Sequence, residues 1–391
     1  MEQRHIYFVV SHPIQYFVPL YRQLAATPGV QVTVLFLTDE TIKGNEDRQF
    51  GVTFIWDIPL LEGYTCEFLK NRSWRPSMYN GFWGLFHPQL FKRLRALPRG
   101  LVVVNGWQYA SYVIAYLAAM FGGHHVGIRC EAPVYKELNR SGLKNRIRKW
   151  LLGGILFKHV IKRFLFLGSQ NRAFYTYYGV QDDALFFSPY SIDNDRFTQG
   201  VKQWNSAAER DRLHIGHEDF VILFTGKFID VKRPLDLLMA FEKVRLSNAH
   251  LVLVGDGALK ETMISYVREN AINNVHFIGF VNQTELPKYY AISDVLVLCS
   301  ESETWGLSVN EAMASGLPVV VSNGVGCADD LVREGQNGYI FPKGDTIALC
   351  KALEEVARHK QMGSRMGDQS LKIIQEYSLQ KSASGIVAAT V

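Results

Sequence analysis

Short, unbroken apolar runs alternate with longer segments of helical character along the whole chain. IYFVV, VQVTVLFL, LVVV, HHVGIR and RFLFLG recur through the first half, and FVPLYRQLAAT between the first two has helical spacing. Such runs suit strands whose sheet is covered on both faces, so the pattern predicts a parallel sheet wrapped by helices. After Ser188-Pro189 comes a passage rich in Asn, Asp and Gly, YSIDNDRFTQG, then a polar stretch, then the new strand FVILFTG. A domain boundary is expected there. A second set follows, HLVLVGDG, NVHFIGF, DVLVLCS, LPVVVS and GYIF, separated by helical stretches such as Pro234 to Val244 and Lys260 to Asn270. The reading is α/β, two doubly wound Rossmann-like domains in series, with expected spans 1–200, 201–375 and a terminal helix over 376–391.

One apolar run requires a membrane test. Leu101 to Ile128 carries no formal charge and is long enough to span a bilayer. Asn105-Gly106 and Gly122-Gly123 break it, leaving a strand, a loop and a buried helix as the expected parse. The N-terminal apolar run, ended by Ser-His-Pro, is too short for a secretory segment, so no export signal is expected.

Composition narrows the picture only slightly. The 391 residues are 48% hydrophobic and 20% charged, which suits packed globular domains and excludes disorder. The net charge of +5 matters by placement alone. Five scattered cysteines form no metal-ligand spacing, so a reducing cytoplasmic compartment and no structural zinc are expected.

Candidate chemistry concentrates in SESETWGLSVNEAMASGLPVVVS, where seven residues separate Glu303 from Glu311. DVLVLCS ends a strand and LSVNEAMAS is helical, placing Glu303 on a strand-to-helix loop and Glu311 inside the helix. Ligands of parallel α/β sheets bind beyond the carboxyl ends of strands, and the amides of Gly306, Leu307 and Ser308 open a helix there, where an anion is favoured. Carboxylates are acceptor-only and suit vicinal hydroxyls of a sugar and a ribose. In TGKFIDVKRP, Lys227 follows the preceding strand and Lys232 the next loop, two cations able to neutralise a departing diphosphate.

With GKFIDVKRP, VLVGDGALK, VHFIGFV and YSIDNDRF, this segment resembles the family 4 glycosyltransferases of the GT-B fold. The resemblance implies two domains facing a central cleft, with the C-terminal helix crossing back to the first. It implies Glu303 on the donor sugar, Glu311 on the ribose, and Lys227 with Lys232 on the phosphates, with Gly226 and Gly255 in the donor loops. Lys227 stands where the family usually has arginine. Phe280 and Val281 are candidates for contact with the base or for core packing. The implied reaction is transfer of a hexose or N-acetylhexosamine from a nucleotide sugar, a UDP-sugar before a GDP-sugar, with retention of configuration and neither metal nor cofactor.

The first half matches that family only in layout. His12 and Gln15 follow the first strand, and His12 is a candidate for the acceptor side or for a structural role. Asn105, Trp107 and Gln108 follow a middle strand, and Arg129 and Glu131 another strand end. From Lys136 to Arg163 nine Lys or Arg and one acid interleave with Trp150, Leu151, Ile155 and Phe157. This resembles an interfacial segment, and the aromatic-rich stretch from Ser73 to Arg95 adds to it; the other reading is a solvated helix pair covering the sheet. The expected partners are a nucleotide sugar, a glycan or lipid-linked acceptor and an anionic membrane surface at the cytoplasmic face, with no nucleic-acid motif. A nucleotide-sugar epimerase and a non-catalytic nucleotide-sugar-binding module are the alternatives.

Overall fold

The structure is a computed structural model that describes residues 3–42, 46–47, 52–53, 56–246, 248–363 and 365–391. It divides into two compact units. The first comprises Met1–Asn45, Pro59–Ser191 and Ser378–Val391, the second Glu46–Ile58 and Ile192–Tyr377.

In chain order the strands up to residue 191 are β1 Arg4–Val10, β2 Val30–Phe36, β3 Glu46–Asp47, β4 Val52–Thr53, β5 Thr65–Phe68, β6 Leu101–Val104, β7 His125–Arg129, β8 Arg163–Phe166 and β9 Leu185–Phe187. The two short strands β3 and β4 pair antiparallel with each other. The other seven form one parallel sheet in the order β5-β2-β1-β6-β7-β8-β9. All four residues of β6 are buried, as a strand covered on both faces requires. The chain reverses its direction of sheet growth between β1 and β6, which makes the carboxyl ends of those strands a topological switch point.

The second unit repeats this plan. Besides β3 and β4, which fall in its Glu46–Ile58 segment, its strands are β10 Phe220–Thr225, β11 Ala249–Val254, β12 Val275–Gly279, β13 Val295–Leu298, β14 Val319–Ser322 and β15 Gly338–Phe341. Strands β10 to β15 form a parallel sheet in the order β12-β11-β10-β13-β14-β15. Here the switch point lies between β10 and β13.

The uncharged run from Leu101 resolves as β6, the helix Ala110–Phe121 and β7. Among the described residues no helix is long and apolar enough to cross a membrane.

Two boundaries lie elsewhere than the composition suggests. The first falls after Ser191 rather than at 200. The polar-looking helix Asn194–Gln203 buries Phe197 and packs on the second unit, where Thr198 Oγ1 donates to the Ala314 carbonyl at 2.8 Å. The second falls after Tyr377 rather than at 375. From Ser378 the chain joins the first unit: Ser382 Oγ lies 2.9 Å from Ser188 Oγ, and Arg163 Nη2 donates to the Val391 carbonyl at 2.7 Å.

The basic segment forms the helix Gly142–Lys149, which runs into a wider π-type helix, Trp150–Val160. Leu152 and Phe157 face the core; Leu143, Ile147, Trp150, Leu151 and Ile155 face outward.

Candidate functional site

The switch point of the second sheet gathers the candidate residues. Strand β10 ends at Thr225, and the chain passes through Gly226 and Lys227 into a 3₁₀ turn, Asp230–Lys232. Strand β13 ends at Leu298, and the loop beyond it carries Glu303 to the helix Leu307–Ala314. Because β10 and β13 are neighbours in the sheet, residues 71 positions apart meet: Lys232 Nζ and Glu303 form an ion pair.

Glu303 is held by backbone as well. Its N–H donates to the Gly324 carbonyl at 2.9 Å, and its own carbonyl accepts from the Gly326 N–H at 3.0 Å, so a short parallel bridge ties it to the loop after β14. A side chain at residue 326 would run into the Thr304 carbonyl, so this close approach requires glycine. The N-cap Gly306 has φ +103°, a conformation glycine adopts without steric cost, and a Cβ there would lie 3.5 Å from Glu303 Cγ. Gly306, Leu307 and Ser308 therefore open their helix beside Glu303. The first N–H groups of a helix have no intrahelical acceptor and point toward any ligand at that end.

Lys232 sits mostly buried. Burial, and then the charge of Lys227, pull its ammonium down to about 8. The Glu303 carboxylate acts in the opposite sense and keeps the cation in place. Arg233, next in the chain, faces other partners: its Nε donates to Asp236 at 2.6 Å and Nη1 to Glu301 at 3.0 Å. Lys343, after β15, reaches Glu301 at 2.8 Å. Glu301 thereby links loops from three strands. Its N–H also donates to the Val231 carbonyl at 2.8 Å, fixing the turn that carries Lys232.

Glu311 lies deeper, at 2% exposure. Its carboxylate accepts from the Tyr290 hydroxyl at 2.7 Å, and that hydroxyl lies 3.2 Å from Thr225 Oγ1 at the end of β10. Both neighbours lie outside the motif that singled out Glu311. Trp305 Nε1 donates to Asn310 Oδ1 at 2.8 Å, which pins the loop to the helix.

The remaining candidates are placed less centrally. Gly255 has its own structural reason to be glycine, because a Cβ there would collide with the Gly226 carbonyl. Phe280 and Val281 follow β12, the edge strand two places from β10, and are partly buried. His12 belongs to the first unit, beyond β1. Its Nδ1 lies 2.9 Å from Ser11 Oγ, and burial pulls the imidazole down to about 4, so it is neutral at pH 7.

An acidic pair, two lysines and a helix N-terminus thus converge on one switch point, and residues 205–372 match the model of the family described as Glycosyl transferases group 1. Among curated proteins the chain is similar to N-acetyl-alpha-D-glucosaminyl L-malate synthase of Bacillus anthracis, 30% identical over 164 residues, covering 41% of this chain and 42% of that one. It is also similar to alpha-monoglucosyldiacylglycerol synthase of Acholeplasma laidlawii, 32% identical over 143 residues, covering 36% of each. The chain thus spans about two fifths of the length of the curated relatives it matches. Across its full length it shares the fold of Anabaena HepE, solved in complex with UDP, with a TM-score of 0.74, 15% identity and 99% of both chains covered. That fold is GT-B.

Proposed function

We propose that the protein transfers a hexose or N-acetylhexosamine from a nucleoside diphosphate sugar, a UDP-sugar by preference, to a glycan or lipid-linked acceptor. It belongs on this reading with the family 4 enzymes marked by two glutamates eight positions apart. The observation that carries the reading is the Lys232 and Glu303 pair beside the helix opened by Gly306. In the free protein each charge is the other's counter-ion. A bound diphosphate takes over Lys232 and releases the Glu303 carboxylate to accept from sugar hydroxyls. Lys227 and the amides of Leu307 and Ser308 complete the cradle, and Glu311 takes the ribose.

Positive charge and oriented N–H groups stabilise the departing diphosphate where its charge develops, the role a divalent metal has in other transferases. Transfer on this reading needs no metal and retains configuration, with the departing phosphate oxygen taking the acceptor's proton on the same face. UDP is favoured because HepE, which shares the fold, is solved with it.

The outward face of Gly142–Val160 supports a peripheral position at the cytoplasmic face of a membrane. Leu143 at 70% exposure and Trp150 at 62% stand among Lys144, Arg146 and Lys149, an arrangement that fits an anionic bilayer surface. The test of the chemistry is the anomeric configuration of the product, read by proton NMR during turnover in the presence of EDTA. Retention with undiminished rate is expected; inversion or abolition by EDTA overturns the mechanism.

A further inference from the structure

Arg129, the last residue of β7, is a cation at 4% exposure, with the Glu131 carboxylate near enough to favour its charge but no direct ion pair among the described residues. Its guanidinium lies 5.2 Å from the ring centre of Phe17 and 5.5 Å from that of Tyr190. Its hydrogen bonding is sparse: Nη2 donates to the Pro189 carbonyl at 3.3 Å, and Nε is buried with no partner among the described residues. The nearby carboxylate of Glu131 accepts from the Tyr190 hydroxyl at 2.6 Å. A guanidinium has five donors, and burying one with most of them unpaired is costly, so this arrangement needs a reason.

A second orphan stands beside it. Val104 and Ile128 are ladder partners, so Asn105 and Arg129 leave the sheet in step, at the carboxyl end next to the β1 and β6 switch point. Asn105 Oδ1 is also buried without a partner among the described residues. Ser191 Oγ, adjacent in sequence to Tyr190, is a third. An unsatisfied cation next to an unsatisfied hydrogen-bond acceptor is complementary to a molecule that carries an oxyanion and a hydroxyl close together.

We infer that Arg129 is the anion-binding residue of an acceptor subsite, and that the acceptor bears a phosphate or carboxylate near a hydroxyl held by Asn105. The two aromatic rings hold the guanidinium plane and limit its hydration, which strengthens the charge-assisted bond to the oxyanion. Only the description of this molecule as an acceptor rests on the proposed glycosyl transfer; the anion site itself does not.

The experiment follows the Arg129 Nε–H resonance of the full chain by NMR, identified by its loss in Arg129→Lys, during titration with inorganic phosphate and, separately, acetate. Saturating UDP is present in one series to occupy the donor site, and sodium chloride is the ionic-strength control. A saturable shift with phosphate or acetate, and none with chloride, is the expected result, and the tighter anion names the acceptor's charged group. In Arg129→Met, with folding checked by circular dichroism, affinity falls about tenfold or more. A resonance unmoved by both anions, a shift equal to that with chloride, or unchanged anion affinity in folded Arg129→Met overturns the inference. If UDP fails to bind while phosphate still moves Arg129, the donor reading falls and the anion site stands.

Discussion

Lys232 and Glu303 form an ion pair across the switch point of the second sheet, one on the turn after β10 and the other on the loop after β13. Neither is fully buried, and each lies at the carboxyl end of its strand, where parallel sheets take ligands. On the proposed function the pair is both a structural contact and a preformed half of the donor site.

Replacing Lys232 with Met removes the cation and leaves Glu303 without this counter-ion. Loss of one stabilising charge from a transition state of this kind costs about 10²- to 10³-fold in kcat. Steady-state kinetics with the donor varied read this directly, and the variant's melting temperature separates lost chemistry from lost fold.

The pH dependence of activity and of stability run in opposite directions at Lys232. On the proposed function it is the ammonium form that binds diphosphate, so kcat/KM for the donor is expected to fall as pH rises through about 8. In Lys232→Arg, whose guanidinium stays charged, that descending limb is absent from whatever activity remains. The folded-state value lies below the usual 10.5, so between about 8 and 10.5 the unfolded chain binds more protons and this residue's contribution to stability rises with pH. The difference in melting temperature between the parent and Lys232→Met across that window gives its sign.

Gly326→Ala places a methyl group against the Thr304 carbonyl and disturbs the backbone bridge that seats Glu303. Overpacking of this sort costs about 1–3 kcal/mol. Denaturant unfolding measures that loss, and donor affinity falls along with stability because the displaced backbone carries Glu303.

Charge at the outward face of Gly142–Val160 tests the membrane reading. Leu143→Glu combined with Ile147→Glu reverses the character of a stripe that is already solvent-facing, so the fold is retained. Sedimentation with anionic vesicles is expected to fall severalfold while donor binding in solution stays unchanged.

The alternation of strands and helices was legible because strands such as β6 and β10, buried on every residue, leave unbroken apolar runs in the sequence. Glu303, Glu311, Lys227 and Lys232 were legible as a pattern tied to strand ends. What joins them was not. Tyr290 reaches Glu311, and Gly324 and Gly326 seat Glu303, only because of the strand order β10-β13-β14, which no local stretch encodes. That Gly255 has a packing reason to be glycine, the approach of the Gly226 carbonyl, was not visible in its local stretch. The polar passage after Ser191 reads in sequence as a domain boundary; its buried Ile192, Asn194 and Phe197 tie its helix to the second unit. Arg129 was visible as a strand-end residue, but the unpartnered Nε of its buried guanidinium is a property of packing alone.

Equilibrium binding of UDP-, GDP- and ADP-sugars to the full chain and to Glu311→Ala, measured by calorimetry, tests the donor site most directly. Selective binding of one UDP-sugar by the parent, weakened at least about tenfold in the folded variant, is the predicted result. No binding by the parent at millimolar ligand, or equal binding by both proteins, contradicts the assignment of Glu311 and its neighbours to a nucleotide-sugar site.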